Sequence, residues 1–207
     1  MQLASITSIQ KSNRGSRSDL SNERGLFCVS KVRSILDKLI HSDYYDFIDN
    51  NLTDSNVGGR KERNIRDHIF VINSVINDVL NGEATSIDVE AIDVVKCFDE
   101  MGYEETHNDL SDVCPKDDKF HLIAKLDEEV NVKINTAAGP SEEFTLKKLI
   151  LQGTVFAPLK CAVQCETLSS DSWNTDEGEV LYKYKDSVLI PPLQMVGDVM
   201  TVSKCGV

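Results

Sequence analysis

Two aspartates stand where the chain could present carboxylates from the ends of neighbouring strands. Asp93 ends a run of alternating apolar and acidic residues, and Asp198 lies between two short apolar runs, 193–196 and 199–202. Carboxylate oxygens are hard ligands that hold Mg²⁺ against phosphates, and two such ions can clamp the attacking and leaving oxygens of a phosphoryl transfer. By composition alone, aspartates at strand ends and in turns are more often structural caps than metal ligands.

Six cysteines offer a second possible chemistry, although no two of them form a Cys-x-x-Cys pair. They are Cys28, Cys97, Cys114, Cys161, Cys165 and Cys205. Only Cys161 and Cys165 stand four apart, a spacing that places both on one face of a helix. The histidines, His41, His68, His107 and His121, are not spaced to complete a four-ligand zinc site. The pattern favours reduced, buried thiols in an intracellular protein.

The charge distribution would allow the N-terminal part of the chain to bind a polyanion. The net charge is −12, yet residues 1–66 hold 11 basic against 8 acidic residues and the remainder holds 11 against 26. A basic front can bind nucleic acid weakly, while a solvated acidic surface explains the rest. No apolar run approaches the roughly 18 residues of a membrane span, and residues 1–24 hold no apolar block of the secretory-signal type. We therefore expect a protein that is not secreted and stays in the cytoplasm or nucleus.

The elements that must position the aspartates can be predicted from periodicity. Residues 1–25 are polar and are predicted to be a loop or frayed arm. Apolar residues recur at helical spacing over 26–42 and 67–81, which predicts two helices with buried apolar faces. Residues 86–95 alternate as a strand does. Asp93 is therefore expected near a strand end.

The remainder of the chain is predicted to alternate helices and hairpins. Residues 128–150 are expected to form a hairpin around Ala138-Gly139-Pro140. We further predict a helix over 100–113, a helix from Pro158 to 168, an acidic loop over 169–179, and short strands over 180–184, 193–196 and 199–202. The last two strands would present Asp198 from their turn.

Five segments resemble the motifs of reverse transcriptases from non-LTR retrotransposons, in the same order. They are SNERGL (21–26), VGGRKERNIRDH (57–68), IDVVKCFD (92–99), LQGTVFAPL (151–159) and MVGDV (195–199). The resemblance covers about residues 10 to 207. It implies an α+β fold with an antiparallel palm sheet backed by helices. Fingers would occupy 1–85 and 118–150, and palm 86–117 and 151–207, with the thumb absent after the third carboxylate motif.

The resemblance also assigns roles to individual residues. Asp93 and Asp198 would be catalytic ligands of Mg²⁺ or Mn²⁺, with the backbone of Val94 beside the nucleotide. Gln152 and Gly153 would line the pocket under the incoming nucleotide. The basic residues Arg24, Arg60, Arg63 and Arg66 would contact the triphosphate and the nucleic acid, since guanidinium groups suit phosphate; a solvated basic loop is the other interpretation. The implied partners are an RNA template, a DNA primer and deoxynucleotides.

Three departures from the motifs predict a weakened enzyme. Gly197 stands where the family has its first turn aspartate, which weakens cation binding at Asp198. Val95 stands where the family has an acidic residue, and Ala157 stands where it has Gly or Ser. The sequence ends at Val207, before a primer grip. Two hypotheses follow: an RNA-directed DNA polymerase that is inactive as written, or a catalytically dead relic that binds nucleic acid or protein or has no selected function.

Overall fold

The computed structural model describes most of the chain. The described residues are 2–10, 23–82, 86–93, 97–128, 130–136, 138–146, 150–173, 183–184, 188–189, 193–195 and 198–204. The helices are α1 (Lys31–Asp49), α2 (Ile65–Leu80), α3 (Cys97–Glu100), α4 (Tyr103–Val113), α5 (Asp118–Glu128) and α6 (Ala157–Trp173). The strands are β1 (Gln2–Gln10), β2 (Glu23–Cys28), β3 (Ile87–Asp93), β4 (Val130–Thr136), β5 (Gly139–Pro140), β6 (Phe144–Leu146), β7 (Lys183–Tyr184), β8 (Val188–Leu189), β9 (Leu193–Met195) and β10 (Asp198–Lys204).

Side-chain caps fix the starts of the two long N-terminal helices. The Ser30 hydroxyl accepts a hydrogen bond from the Arg33 amide at 3.2 Å, where α1 begins. Asn64 and Asp67 form a reciprocal capping box at the start of α2. Each cap satisfies backbone N–H groups that have no partner inside the helix. Both helices were predicted, although α1 begins and ends later than the interval 26–42. The apolar face predicted for α2 is buried only in part, because Val75 is buried while Ile69, Ile76 and Leu80 are exposed.

The larger sheet places β1 between β2 and β4. β1 pairs antiparallel with β2 and parallel with β4, while β5 and β6 both pair antiparallel with β4. The predicted hairpin over 128–150 is confirmed. The predicted loop over 1–25 is wrong for β1 and the start of β2, because Ala4 packs with Val130 and Val132 in a small core. Residues 11–22 lie outside the described part.

The smaller sheet has the strand order β3-β10-β9, and both of its pairings are antiparallel. The predicted strand near Asp93 and the predicted hairpin that carries Asp198 are therefore confirmed. β7 and β8 form a separate two-stranded pair. The helix α6 continues to Trp173, so the first residues of the predicted acidic loop are helical.

The main core joins helices from both predicted regions. Its buried members include Ile48 of α1, Leu110 of α4, Phe120 of α5 and Leu159 of α6. The division into fingers and palm stays a prediction, because this core contains residues assigned to each. The mixed architecture, with antiparallel strands and packed helices, is the α+β class that the sequence predicts.

The face that α1 buries differs from the predicted one. Val32, Ile35 and Leu39 are exposed by 58% or more, whereas Arg33 and Asp37 are buried. The charges of Arg33 and Asp37 have partners elsewhere in the fold: Arg33 pairs with Asp127, and Asp37 accepts the Phe156 amide at 3.0 Å. Hydrogen-bonded charges can therefore occupy a helix face that periodicity assigns to solvent.

Candidate functional site

Asp93 and Asp198 are direct cross-strand partners. Asp93 is the last residue of β3 and Asp198 the first of β10, and they face each other in the antiparallel register. Both residues are exposed. Partial burial, the charge of Asp93 and a hydrogen bond to Asp93 raise the pKa of Asp198. The predicted adjacency of these aspartates is confirmed, while their role as metal ligands stays a prediction.

The open edge of the smaller sheet makes this pair accessible. β3 lies at one edge of the described sheet, and its residues from Asp88 to Asp93 are all exposed. Carboxylates at such a place can bind a cation together with water and phosphate oxygens, which is the ligand set that Mg²⁺ prefers. Gly197 and Val94, which are next to Asp198 and Asp93 in the sequence, lie outside the described residues.

Strand β9, which precedes Asp198, is held by the loop that leads to α2. The Gln194 amide donates to the Ser55 carbonyl at 2.9 Å, and the Gln194 carbonyl accepts from the Val57 amide at 3.0 Å. Gly59 in the same loop has φ +70, and a Cβ there would lie 2.9 Å from the Pro158 Cβ. Glycine is therefore required for this close approach to the start of α6.

Two hydrogen bonds join the segment after β3 to the segment before α6. The Ile150 amide donates to the Phe98 carbonyl at 3.0 Å, and the Gln152 side-chain amide donates to the Asp99 carboxylate at 3.3 Å. Gly153 has φ +103, and a Cβ there would lie 3.3 Å from the Phe27 carbonyl. The segments that resemble the first and second motifs are thus neighbours, and the predicted nucleotide contact of Gln152 and Gly153 stays a prediction.

Arg60 is used mainly inside the protein. Its side chain is 5% exposed and donates from Nε to the Asp49 carboxylate at 2.7 Å. Its remaining bonds go to the carbonyls of Thr53, Asn56 and Asp49 at 2.6, 3.0 and 3.1 Å. Four of the five guanidinium N–H groups are therefore engaged, since arginine has five donors. This arrangement makes Arg60 a structural anchor of the loop.

The other arginines predicted to bind nucleic acid differ in the accessibility of their side chains. Arg63 pairs with the exposed Asp54 at 2.6 Å. Arg66 is exposed in the first turn of α2. Arg24 lies on β2 opposite Ile9, and the structure does not describe its side chain. Of the described side chains in this set, Arg63 and Arg66 are accessible to nucleic acid.

A buried ion cluster beside a cavity was not foreseen from the sequence. Arg33 and Lys160 both pair with Asp127, the first at 2.6 Å. Burial opposes ionisation of Asp127, but Lys160 and Arg33 outweigh it and lower its pKa. These residues line a cavity of about 350 Å³ together with Tyr103, whose buried hydroxyl has no hydrogen-bond partner. Lys160, a basic residue within the apolar run 157–163, was an available sequence signal, whereas Arg33 lies on the face of α1 that periodicity assigns to solvent.

The cysteines follow the predicted burial in most cases. Cys97, Cys114, Cys161 and Cys165 are buried and Cys28 is exposed, and none of these five forms a disulfide. Cys205 lies outside the described residues. Within the described part of the chain, no helix is long and apolar enough to cross a membrane.

Comparison with known proteins identifies the fold through solved structures. No protein-family model matches the sequence, and no curated protein matches it significantly. Telomerase from Candida albicans, solved with the TWJ fragment of telomeric RNA, aligns over 100% of this chain and 38% of its own, with a TM-score of 0.63 and 10% identity. Apo telomerase from Candida tropicalis, truncated from its C-terminal domain, aligns over 98% and 44%, with a TM-score of 0.58 and 10% identity.

These similarities concern the fold. The chain spans less than half the length of the telomerases it matches. Its mixed α/β architecture is similar to that of these telomerases, and the predicted α+β fold class is confirmed.

Proposed function

We propose that this chain is a reverse-transcriptase palm and fingers of non-LTR retrotransposon descent, in which Asp93 and Asp198 bind a divalent cation. The proposal rests on one observation above the others: the two aspartates that resemble the family's metal ligands are direct partners across β3 and β10. The fold, similar to telomerase, supplies the context. The substrates would be an RNA template, a DNA primer and deoxynucleotides.

The donor set at Asp93 and Asp198 fits a hard cation. Two exposed carboxylates approach each other closely enough for the charge of Asp93 to raise the pKa of Asp198. A dication would relieve this repulsion, and carboxylate oxygens are preferred by Mg²⁺ and Mn²⁺. When bound, the ion would neutralise charge on the transferred phosphate and polarise the attacking hydroxyl.

The chain's other residues would bind and orient the nucleic acid. Arg63 and Arg66 are accessible and would contact phosphates, adding affinity without reading sequence. Gln152, which donates to Asp99, would contribute a polar side chain to the nucleotide pocket. The Candida albicans telomerase was solved with RNA bound, which favours nucleic acid as the partner of this similar fold.

A second candidate function is a binding module without catalysis. Gly197 offers no carboxylate beside Asp198, and Arg60 has four donors engaged within the protein. The first feature removes a carboxylate that could hold the cation, and the second leaves Arg60 with few donors for the phosphates of a triphosphate. The module would keep the cation site and the nucleic-acid surface without extending primers.

Cation binding by the purified chain tests the proposed site. Mn²⁺ titration followed by electron paramagnetic resonance should give a site that Asp93→Asn and Asp198→Asn each weaken roughly tenfold or more. Asp88→Asn is the matched control, because Asp88 is an exposed acid on the same strand, opposite Ser203. Equal weakening by the control would assign Mn²⁺ to general acidic surface and remove the basis of the proposal.

A further inference from the structure

Three cysteine side chains from two elements converge in one buried cluster. The Cys97 Sγ lies 3.5 Å from the Cys161 Sγ and 3.9 Å from the Cys165 Sγ, and the last two are 3.9 Å apart. Cys161 and Cys165 are one turn apart on α6, and Cys97 begins α3. Their exposures are 8%, 0% and 6% in sequence order. We call these three residues the thiol triangle.

The size of the thiol triangle matches that of a metal–thiolate site. Metal–sulfur bonds of about 2.3 Å place sulfurs about 3.8 Å apart in a tetrahedral arrangement and about 4.0 Å apart in a trigonal one. The three observed separations lie within a few tenths of an ångström of these values. A cation could therefore be bound with very small movements of the side chains.

The surroundings of the thiol triangle are soft and apolar. The buried cluster that contains it also holds Met101, Ile150 and Ala157, with Phe98 packed against it. Met101 adds a thioether to the same cluster. Within the described residues, the only potential metal-binding group of three or more His, Cys, Asp or Glu atoms is this all-sulfur set. Thiolate and thioether ligands select soft cations and disfavour Mg²⁺ and Ca²⁺.

We propose that Cys97, Cys161 and Cys165 bind one copper(I) ion as three thiolates. Copper(I) accepts three sulfur ligands, whereas structural zinc is almost always bound by four protein ligands. The set has three sulfurs and a nearby thioether, with no imidazole or carboxylate among its members. Its soft sulfur ligands differ from the hard carboxylates of Asp93 and Asp198, although the Asp198 charge acts on the Cys97 thiol.

The site would tie together the two segments that flank the aspartate pair. Cys97 follows Asp93 by four residues, and α6 follows the loop that contains Gln152. A copper ion would therefore link α3 to α6 in addition to the hydrogen bonds of Phe98 and Asp99. Binding as thiolates would release the thiol protons to solvent.

Reconstitution with copper(I) under anaerobic conditions tests this assignment. The reduced 207-residue chain is titrated with copper(I) against a chromophoric copper(I) chelator, and bound copper is then measured by mass spectrometry. One copper per chain is expected for the wild type, with at least a tenfold loss of affinity in Cys97→Ser, Cys161→Ser and Cys165→Ser. Cys28→Ser and Cys114→Ser are the controls, one exposed and one buried outside the triangle, and should retain copper.

X-ray absorption of the wild-type copper complex identifies the copper ligands directly. This measurement does not depend on whether the cysteine variants fold. Three sulfur neighbours and no nitrogen or oxygen are expected around the copper. A wild type that takes up no copper, equal losses in the two controls, or a first shell with nitrogen or oxygen would each overturn the proposal. In a parallel titration, zinc should bind more weakly than copper(I). Zinc binding that is tighter than copper(I) binding and uses a fourth ligand would overturn the choice of copper(I).

Discussion

The side-chain amide of Asn56 lies 3.3 Å from the Gln194 Oε1, inside the protein. The same Nδ2 group donates to the Ala162 carbonyl at 3.1 Å and to the Glu166 carboxylate at 3.0 Å, while its Oδ1 accepts from the Gly58 amide. Asn56 is 1% exposed. One residue therefore joins the loop before α2, the helix α6 and the strand β9 that leads to Asp198.

Replacement of Asn56 by alanine should destabilise the fold and disturb the aspartate pair. Leaving several buried polar groups without their partner is expected to lower the free energy of unfolding by about 2–3 kcal/mol. Mn²⁺ affinity should also fall, because β9 positions the start of β10. Urea unfolding and Mn²⁺ titration measure the two effects.

Asn51→Ala is the matched control for this prediction. Asn51 is exposed and donates one hydrogen bond, to the Phe47 carbonyl at 2.7 Å. Its loss should cost below about 0.5 kcal/mol, as for most surface substitutions. A similar cost for both variants would mean that the buried position of Asn56 has no special importance.

The carboxylate of Asp127, which is 20% exposed and paired with two buried cations, should be a major determinant of stability. Asp127→Asn would leave Arg33 and Lys160 without their shared counter-ion, at exposures of 4% and 7%. Breaking a buried pair in this way is expected to cost about 3–5 kcal/mol. Asp43→Asn, which breaks the exposed pair with Lys119, should cost below about 1 kcal/mol. Denaturant unfolding at pH 7 measures both, and equal costs would contradict the role of the cluster.

The same carboxylate should give stability a defined pH dependence. The pKa of Asp127 is lower in the folded chain than its ordinary value. Its contribution is therefore complete well above about pH 3.9 and is lost as the pH falls through that value towards the folded pKa. The stability gap between wild type and Asp127→Asn should accordingly narrow on acidification. A gap that widens would contradict the sign of this pKa shift.

Local patterns predicted the strands that carry the aspartates. Strand β1 and the buried face of α1 depend instead on contacts between residues far apart in the sequence. The alternation before Asp93 and the hairpin that carries Asp198 were sufficient to predict their strands, and motif order predicted their adjacency. β1 was missed because its polar sequence gains order from β4, which is more than a hundred residues away. The exposed face of α1 was missed because Arg33 is buried by a partner at Asp127.

The thiol triangle was likewise predictable only in its local part, the pair on α6. The spacing of Cys161 and Cys165 predicted a shared helix face. Cys97 lies 64 residues before Cys161, so nothing in local spacing could bring it to that face. Arg60 resembled a ligand-binding residue by motif, yet its neighbours Asp49 and Thr53 engage its donors.

Substitutions of Arg60 and Arg66 should separate structural from nucleic-acid roles. Arg66→Gln removes an exposed cation and should lower the slope of log affinity against log salt by about 0.7–0.9 for a lost phosphate contact. Arg60→Gln breaks internal charged hydrogen bonds and should lower the free energy of unfolding by about 2–3 kcal/mol. Single-stranded RNA binding at several salt concentrations, paired with urea unfolding, gives both readouts.

Lys116→Gln is the control for the salt-dependence measurement. Lys116 is exposed and lies outside the basic front of residues 1–66. Its loss should leave the slope unchanged. If Lys116→Gln lowers the slope as much as Arg66→Gln does, nucleic acid is bound diffusely and the basic front has no particular role.

Primer extension should separate the polymerase from the non-catalytic module. The native chain is expected to extend a DNA primer on an RNA template poorly with Mg²⁺ or Mn²⁺, because Gly197 supplies no carboxylate beside Asp198. Gly197→Asp should strengthen Mn²⁺ binding by adding a negatively charged oxygen ligand. Adding Asp93→Asn to this variant should remove the gain, since Asp93 is the cross-strand partner of Asp198. Rapid extension by the native chain would show that one turn aspartate is enough, whereas unchanged Mn²⁺ binding by Gly197→Asp would remove the metal role from this turn.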